Sequence, residues 1–220
     1  MASRLEVEGK SIVMLGDFNP KIFQPAWLLS RDLVRQSEAD QAEVQIIHAE
    51  VSSLEFEGYS IVVTRERFQI STSQAPFYPV IRDLVVGAFT LLSHTPIRAL
   101  GLNTDGHFRM PSHEEWHGFG HRLTPKEGLW EGILKSPGMR SLTVEGIRPD
   151  LCPGYIRVKV EPSNLLIPGV FVSINDHLEP ANAGVGCAPV VECLRQQWQE
   201  AQDRAQRILT TIVEDALKKS

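Results

Sequence analysis

The last segment of the chain restricts the fold more than any other. From about Val190 to Lys218, the apolar residues Val191, Leu194, Trp198, Ala201, Ala205, Ile208 and Ile212 recur in steps of three and four. That spacing gathers them on one face of a helix as a heptad seam. Glu200 and Arg204, and again Glu214 and Lys218, are spaced to pair along its outer side. At about 1.5 Å per residue the helix is roughly 40 Å long. Such a seam needs an equally long apolar partner, either the face of a sheet or a second copy of the helix.

A second substantial helix is expected over YPVIRDLVVGAFTLLSH (78–94). It is apolar around most of its circumference and therefore buried. Pro79 sits near its start, where no N–H is needed. AWLLSRDLV (26–34) also has helical spacing. Most other apolar stretches read as strands: SIVMLG (11–16); EVQIIHAEVSSLEFE (43–57) and YSIVVTRERFQIST (59–72), which give two strands, or three if the second stretch folds at Arg65-Glu66; IRALGLN (97–103); RSLTVEGIR (140–148); GYIRVKVEP (154–162); and GVFVSIND (169–176). To residue 103 the order is β-α-β-β-α-β, that of a ferredoxin-like unit. Strands in hairpin-like pairs, with too few helices for a doubly wound sheet, predict an α+β fold. The expectation is a mostly antiparallel sheet of about seven strands, covered by the buried central helix and the long C-terminal helix. The 220 residues fit one domain, with 111 as the one internal division the pattern offers.

Charge narrows the partners. The chain carries 27 Asp and Glu against 22 Lys and Arg, a net charge of −5, without a basic stripe, so no nucleic acid is expected. The longest apolar runs, such as LVVGAFTLL (84–92), are too short to span a bilayer, so no membrane partner is expected. The N-terminal MASRLEVEGKS has no apolar signal region. Cys152, Cys187 and Cys193 match no zinc ribbon or redox pair by spacing. An odd number of thiols without a signal suits a reducing compartment, here the cytoplasm.

The sharpest motif is SHEEWHGFGHRL (112–123). His113 and His117 with Glu114 between them have the His-Glu-x-x-His form in which two histidines one helical turn apart hold zinc and the Glu acts as base. His121 continues the same stripe, and His107 lies just upstream. Three features oppose a zinc protease. Leu123, not His, stands where the longer motif has its third ligand. Ser112 and Glu115 form a capping box, which puts His113 at a solvated helix end and explains both glutamates. Trp116, Phe119 and Leu123 form an ordinary apolar stripe beside the histidines. A metal site on His107, His113, His117 and His121, with zinc or another divalent cation, remains the alternative to a chain without cofactor.

Three other features stand out. GDFNPKIFQPAW (16–27) is more apolar than a solvated loop requires, so Phe18, Phe23 and Trp27 either fold onto the core or form a contact patch. GVGCAP (184–189) precedes the last helix, and Cys187 there is read as a loop residue packed under that helix, with a thiol made acidic by the helix terminus as the alternative. ALGLNTDGH (99–107) and FVSINDH (171–177) echo each other. If those strands ran parallel, Asn103, Asp105, His107, Asn175, Asp176 and His177 would gather at one edge.

The segments IVVTRERFQIST, FYPVIRDLVVGAFTLL, RALGLN and GVFVSINDHLE together resemble an uncharacterised, sporadically distributed family of bacterial proteins. The likeness covers roughly half to two thirds of the chain. It implies an α+β domain of bacterial or phage type and brings no reaction, ligand or site residue. The functional expectation is a non-enzymatic cytoplasmic binding or assembly protein that acts through protein–protein contacts, with itself or another protein. Its candidate contact residues are Phe18, Phe23 and Trp27 in the loop and Trp198, Ile208 and Ile212 on the seam. The alternative is a metal-dependent hydrolase or metal-binding protein built on the histidine stripe.

Overall fold

The computed structural model describes residues 4–150 and 152–215. Its strands are β1 (Arg4–Gly16), β2 (Glu43–Ile47), β3 (Val51–Phe56), β4 (Tyr59–Thr64), β5 (Arg67–Thr72), β6 (Ile97–Arg109), β7 (Leu142–Ile147), β8 (Gly154–Pro162) and β9 (Gly169–Leu178). The helices are α1 (Pro25–Ser30), α2 (Gln36–Gln41), α3 (Tyr78–Leu91), α4 (His113–Leu123) and α5 (Ala188–Asp215). All nine strands join one sheet in the order β2-β3-β4-β5-β1-β6-β9-β8-β7. Every neighbouring pair is antiparallel.

The α+β class and the antiparallel sheet agree with the expectation, but the strand count does not. The two stretches between 43 and 72 each fold back on themselves, at 48–50 and at Arg65–Glu66, and yield four strands. The order up to β6 is therefore not that of a ferredoxin-like unit. Turn residues, not apolar periodicity, set that number.

One face of the sheet is apolar and covered by helices. Leu100, Leu102 and Phe108 of β6 alternate with residues of the other face and meet Val170, Val172, Ile174 and Leu178 of β9. α3 buries Ile81, Leu84, Val85, Ala88 and Phe89. α5 lies across β6 and β9 and packs against α3. The seam residues Val191, Leu194, Trp198, Ala201 and Ala205 are all buried there. Further along, Leu209 and Val213 take over the buried line, and Ile208 and Ile212 are half-buried beside it. A straight helix has 3.6 residues per turn, so a heptad stripe drifts around it, and a sheet face does not follow the drift as a supercoiled partner would.

Trp198 is thus covered within the chain, and Ile208 and Ile212 are partly so. The aromatic loop takes the first of its two readings and folds onto the core. Phe18 and Phe23 are buried, and Trp27 packs against them from the edge of the core. The Phe23 ring lies 5.2 Å from Phe68, and the Phe18 ring lies 5.9 Å from Phe89. Ser52 anchors the loop by donating to the Phe23 carbonyl at 2.8 Å.

Arg204 does not pair with Glu200. It turns inward and binds Asp176 and Asp150, each at 3.0 Å. Arg148 binds the same two carboxylates from the far side. Glu200 pairs instead with Arg207. The expected partner of Glu214, Lys218, lies outside the described residues. No helix among the described residues is long and apolar enough to cross a membrane.

Candidate functional site

α4 forms where the capping signal placed it. Ser112 accepts from the Glu115 N–H at 3.1 Å, with Glu114 and Glu115 in the first turn. Phe119 is buried under the helix, and Trp116 and Leu123 pack beside it against Phe108, Val160 and Val170. His113, His117 and His121 are exposed along the rim. Trp116 touches two of them, with ring centroids 6.0 Å from His113 and 5.1 Å from His117. His107 is not with them. It points to the sheet face opposite its neighbour Phe108, where it meets the Ser163 hydroxyl at 2.9 Å and packs on Phe171. Burial holds the His107 imidazole below its ordinary value, with Asp105 opposing. Among the described residues, no three His, Cys, Asp or Glu side chains gather as a metal site requires.

What adjoins α4 is a cavity of about 470 Å³ between the helix, residues 134–140 and the ends of β8 and β9. Trp116, Phe119, Met139 and Val170 give it apolar walls. His117, His121, Lys126, Lys135 and Arg140 give it cationic and N–H groups. Lys126 is buried, and its ammonium caps the C-terminal end of α4 by donating to the Gly120 carbonyl at 3.3 Å and to Thr124.

Beyond this cavity the chain exposes an apolar segment that the periodicity did not single out. Leu129, Trp130, Ile133 and Leu134 are all exposed, Ile133 to 65%. Trp130 and Leu134 line a small cleft with Met139, Arg140 and Ser141, which leads into β7. The clue in the sequence is LWEGIL, whose apolar pairs recur one helical turn apart.

β7 and β2 are the two free edges of the sheet. All five residues of β2 are exposed, among them Val44, Ile46 and Ile47. On β7, Val144 is exposed and Ile147 reaches 92%. Glu43 of β2 stands directly opposite Glu55 of β3, an unfavourable pair of like charges.

The face without helices is polar. One row runs across all nine strands, Glu43–Glu55–Ser60–Ser71–Ser11–Asn103–Asn175–Arg157–Glu145, each residue opposite the next. Ser60 and Ser71 bond at 3.0 Å, Asn103 donates to Ser11 at 3.1 Å, and Arg157 binds Glu145 at 2.7 Å. This is the solvated side of an antiparallel sheet. The echo noted between 99–107 and 171–177 resolves differently from the parallel arrangement considered above. β6 and β9 run antiparallel, so Asn103 meets Asn175, His107 meets Phe171 and His177 meets Gly101. Asp176 faces the helices instead.

Cys187 is buried, and its thiol donates to the Phe89 carbonyl at 2.8 Å. Burial raises its pKa, which suits the packed residue and not the alternative of a thiol activated by a helix terminus. The fold also brings Cys152 and Cys193 within 3.8 Å of each other. Burial, with Cys152 adding to it, pushes the Cys193 thiol up to about 12. No sequence profile of a protein family matches the chain, and no curated protein matches it.

Proposed function

We propose that the protein is a non-enzymatic assembly protein that acts through protein–protein contacts, with a second copy of itself as the first partner. One observation carries this reading: both ends of the sheet are free edges with large exposed apolar residues, Val44 and Ile46 on β2 and Val144 and Ile147 on β7. An edge strand offers unpaired N–H and C=O groups to another strand, and proteins ordinarily blunt such edges with lysine, proline, a bulge or a cover. β2 carries a bulge between Val44 and Ile46. β7 has no Lys or Pro, and its register with β8 is unbroken. β7 is therefore the edge to which a partner strand adds, and the Leu129–Leu134 segment beside it enlarges the contact. A bacterial cytoplasm and membership of the sporadically distributed family belong to the same reading.

Size-exclusion chromatography with light scattering tests it. The expected result is a mass above the 24.6 kDa of one chain, which returns to one chain in a Val144→Lys/Ile147→Lys double variant. A monomer at every concentration overturns the self-association reading.

A further inference from the structure

The geometry points to the cavity beside α4 as a binding site for a small organic anion: a carboxylate or phosphate head on an apolar body the size of one aromatic ring or a short acyl chain. Its volume of about 470 Å³ falls in the range of small-molecule pockets, which pair apolar walls with a few convergent polar groups. Trp116, Phe119 and Met139 offer the walls.

The polar groups are one-sided in charge. Lys135 and Arg140 line the cavity, with His117 and His121 adding ring N–H donors one turn apart on α4, while the Lys126 ammonium beside them is spent on Gly120 and Thr124. Glu161 is the single carboxylate lining it, and Lys159 already holds that carboxylate at 2.8 Å. Lys135 and Arg140 form no ion pair among the described residues. Composition does not account for this, because the chain as a whole is acidic, with a net charge of −5. The Arg140 guanidinium offers a planar fork that suits carboxylate and phosphate, and such charge-assisted bonds are the strong ones. The same cations oppose a divalent metal, which would need carboxylates or thiolates in their place.

Titration calorimetry with phenylacetate, phenyl phosphate, benzyl alcohol and inorganic phosphate tests the assignment on the intact protein. Saturable binding of phenylacetate or phenyl phosphate is expected, and the stronger of the two identifies the head group. Benzyl alcohol lacks the charge and inorganic phosphate lacks the apolar body, so both bind more weakly. Lys135→Gln/Arg140→Gln removes two exposed side chains, which circular dichroism will show to leave the fold intact, and weakens the anion by about tenfold or more. Trp116→Leu weakens both aromatic anions and leaves inorganic phosphate unchanged. The assignment is overturned if neither anion binds saturably, if benzyl alcohol binds as well as they do, or if the folded double variant binds them like the parent. Repeating the titration on the Val144→Lys/Ile147→Lys variant keeps this result separate from self-association.

Discussion

Arg204, in the middle of α5, binds Asp176 of β9 at 3.0 Å, with both side chains buried between helix and sheet. The bond fixes the rotation and the position of the long helix along the sheet, a specificity that apolar packing alone leaves loose. Arg148 and Asp150 complete a group of two cations and two anions.

Removing Arg204 leaves Arg148 alone against two carboxylates, so one negative charge of the buried group is no longer compensated. Arg204→Ala is therefore expected to destabilise the protein by about 3–5 kcal/mol. Urea unfolding will show this as a lower midpoint at unchanged slope. A change below 1 kcal/mol, read as about that size of surface-pair effect, would mean that water reaches the group.

The aromatic loop makes a contrasting pair. Phe23 is buried against Phe68 and Phe89, so Phe23→Ala should cost about 3–5 kcal/mol through lost burial and a cavity. His117→Ala, on the exposed rim of α4, should stay within about 0.5 kcal/mol. Equal effects of the two substitutions in thermal unfolding would contradict the burial described for the loop.

Asp105 lies on the polar face of β6, where burial raises its pKa against a hydrogen bond from Ser173 and the charge of His107. A carboxyl raised in the folded state binds its proton more tightly there than in the unfolded chain. Stability is therefore lowered at neutral pH and recovered as pH falls through the raised value. Asp105→Asn should raise the melting temperature at pH 7, and the gain should vanish below the ordinary carboxylate range. A gain that persists in acid would sink this account.

The three thiols should react in a fixed order, because thiolate is the reactive form and burial suppresses it. Cys152 is half-exposed, whereas Cys187 and Cys193 are buried with raised pKa values. In the native protein an aromatic disulfide reagent should titrate Cys152 quickly and the other two only on unfolding. Loss of the fast phase in Cys152→Ser identifies it, and a fast phase that survives that substitution refutes the order.

Much of the fold was legible because its signals are local. The 3.6-residue period of 190–213 and the apolar ring of 78–91 mark helices wherever they pack, and the period of two marks strands. Ser112 announced the start of α4 through a bond spanning three residues. Of the cavity, the α4 side was legible, as Trp116, His117, Phe119 and His121, whereas the 134–140 side and the free sheet edges were not. A stripe of apolar residues states that a face must be covered, not what covers it. The seam of α5 therefore read first as a sheet-packing face, with a dimer face as the alternative, until β6 and β9 lay beneath it. Phe18 and Phe23 read as core or as patch for the same reason.

What the sequence alone determined is the class, the two major helices and the faces they bury, since each follows from side-chain spacing within one element. Tertiary structure decided the rest. The turn at 48–50, together with the fold at 65–66 that the sequence had offered, made nine strands of an expected seven. Antiparallel pairing of β6 and β9 separated His107 from His177, and alternation along β9 turned Asp176 toward α5, where Arg204 meets it. Folding gathered Lys135, Arg140 and two histidines of α4 around one cavity and left one edge each of β2 and β7 unpaired. The physical reason is range: backbone periodicity acts over a few residues, whereas burial, charge convergence and an unpaired edge are set by residues far apart in the chain.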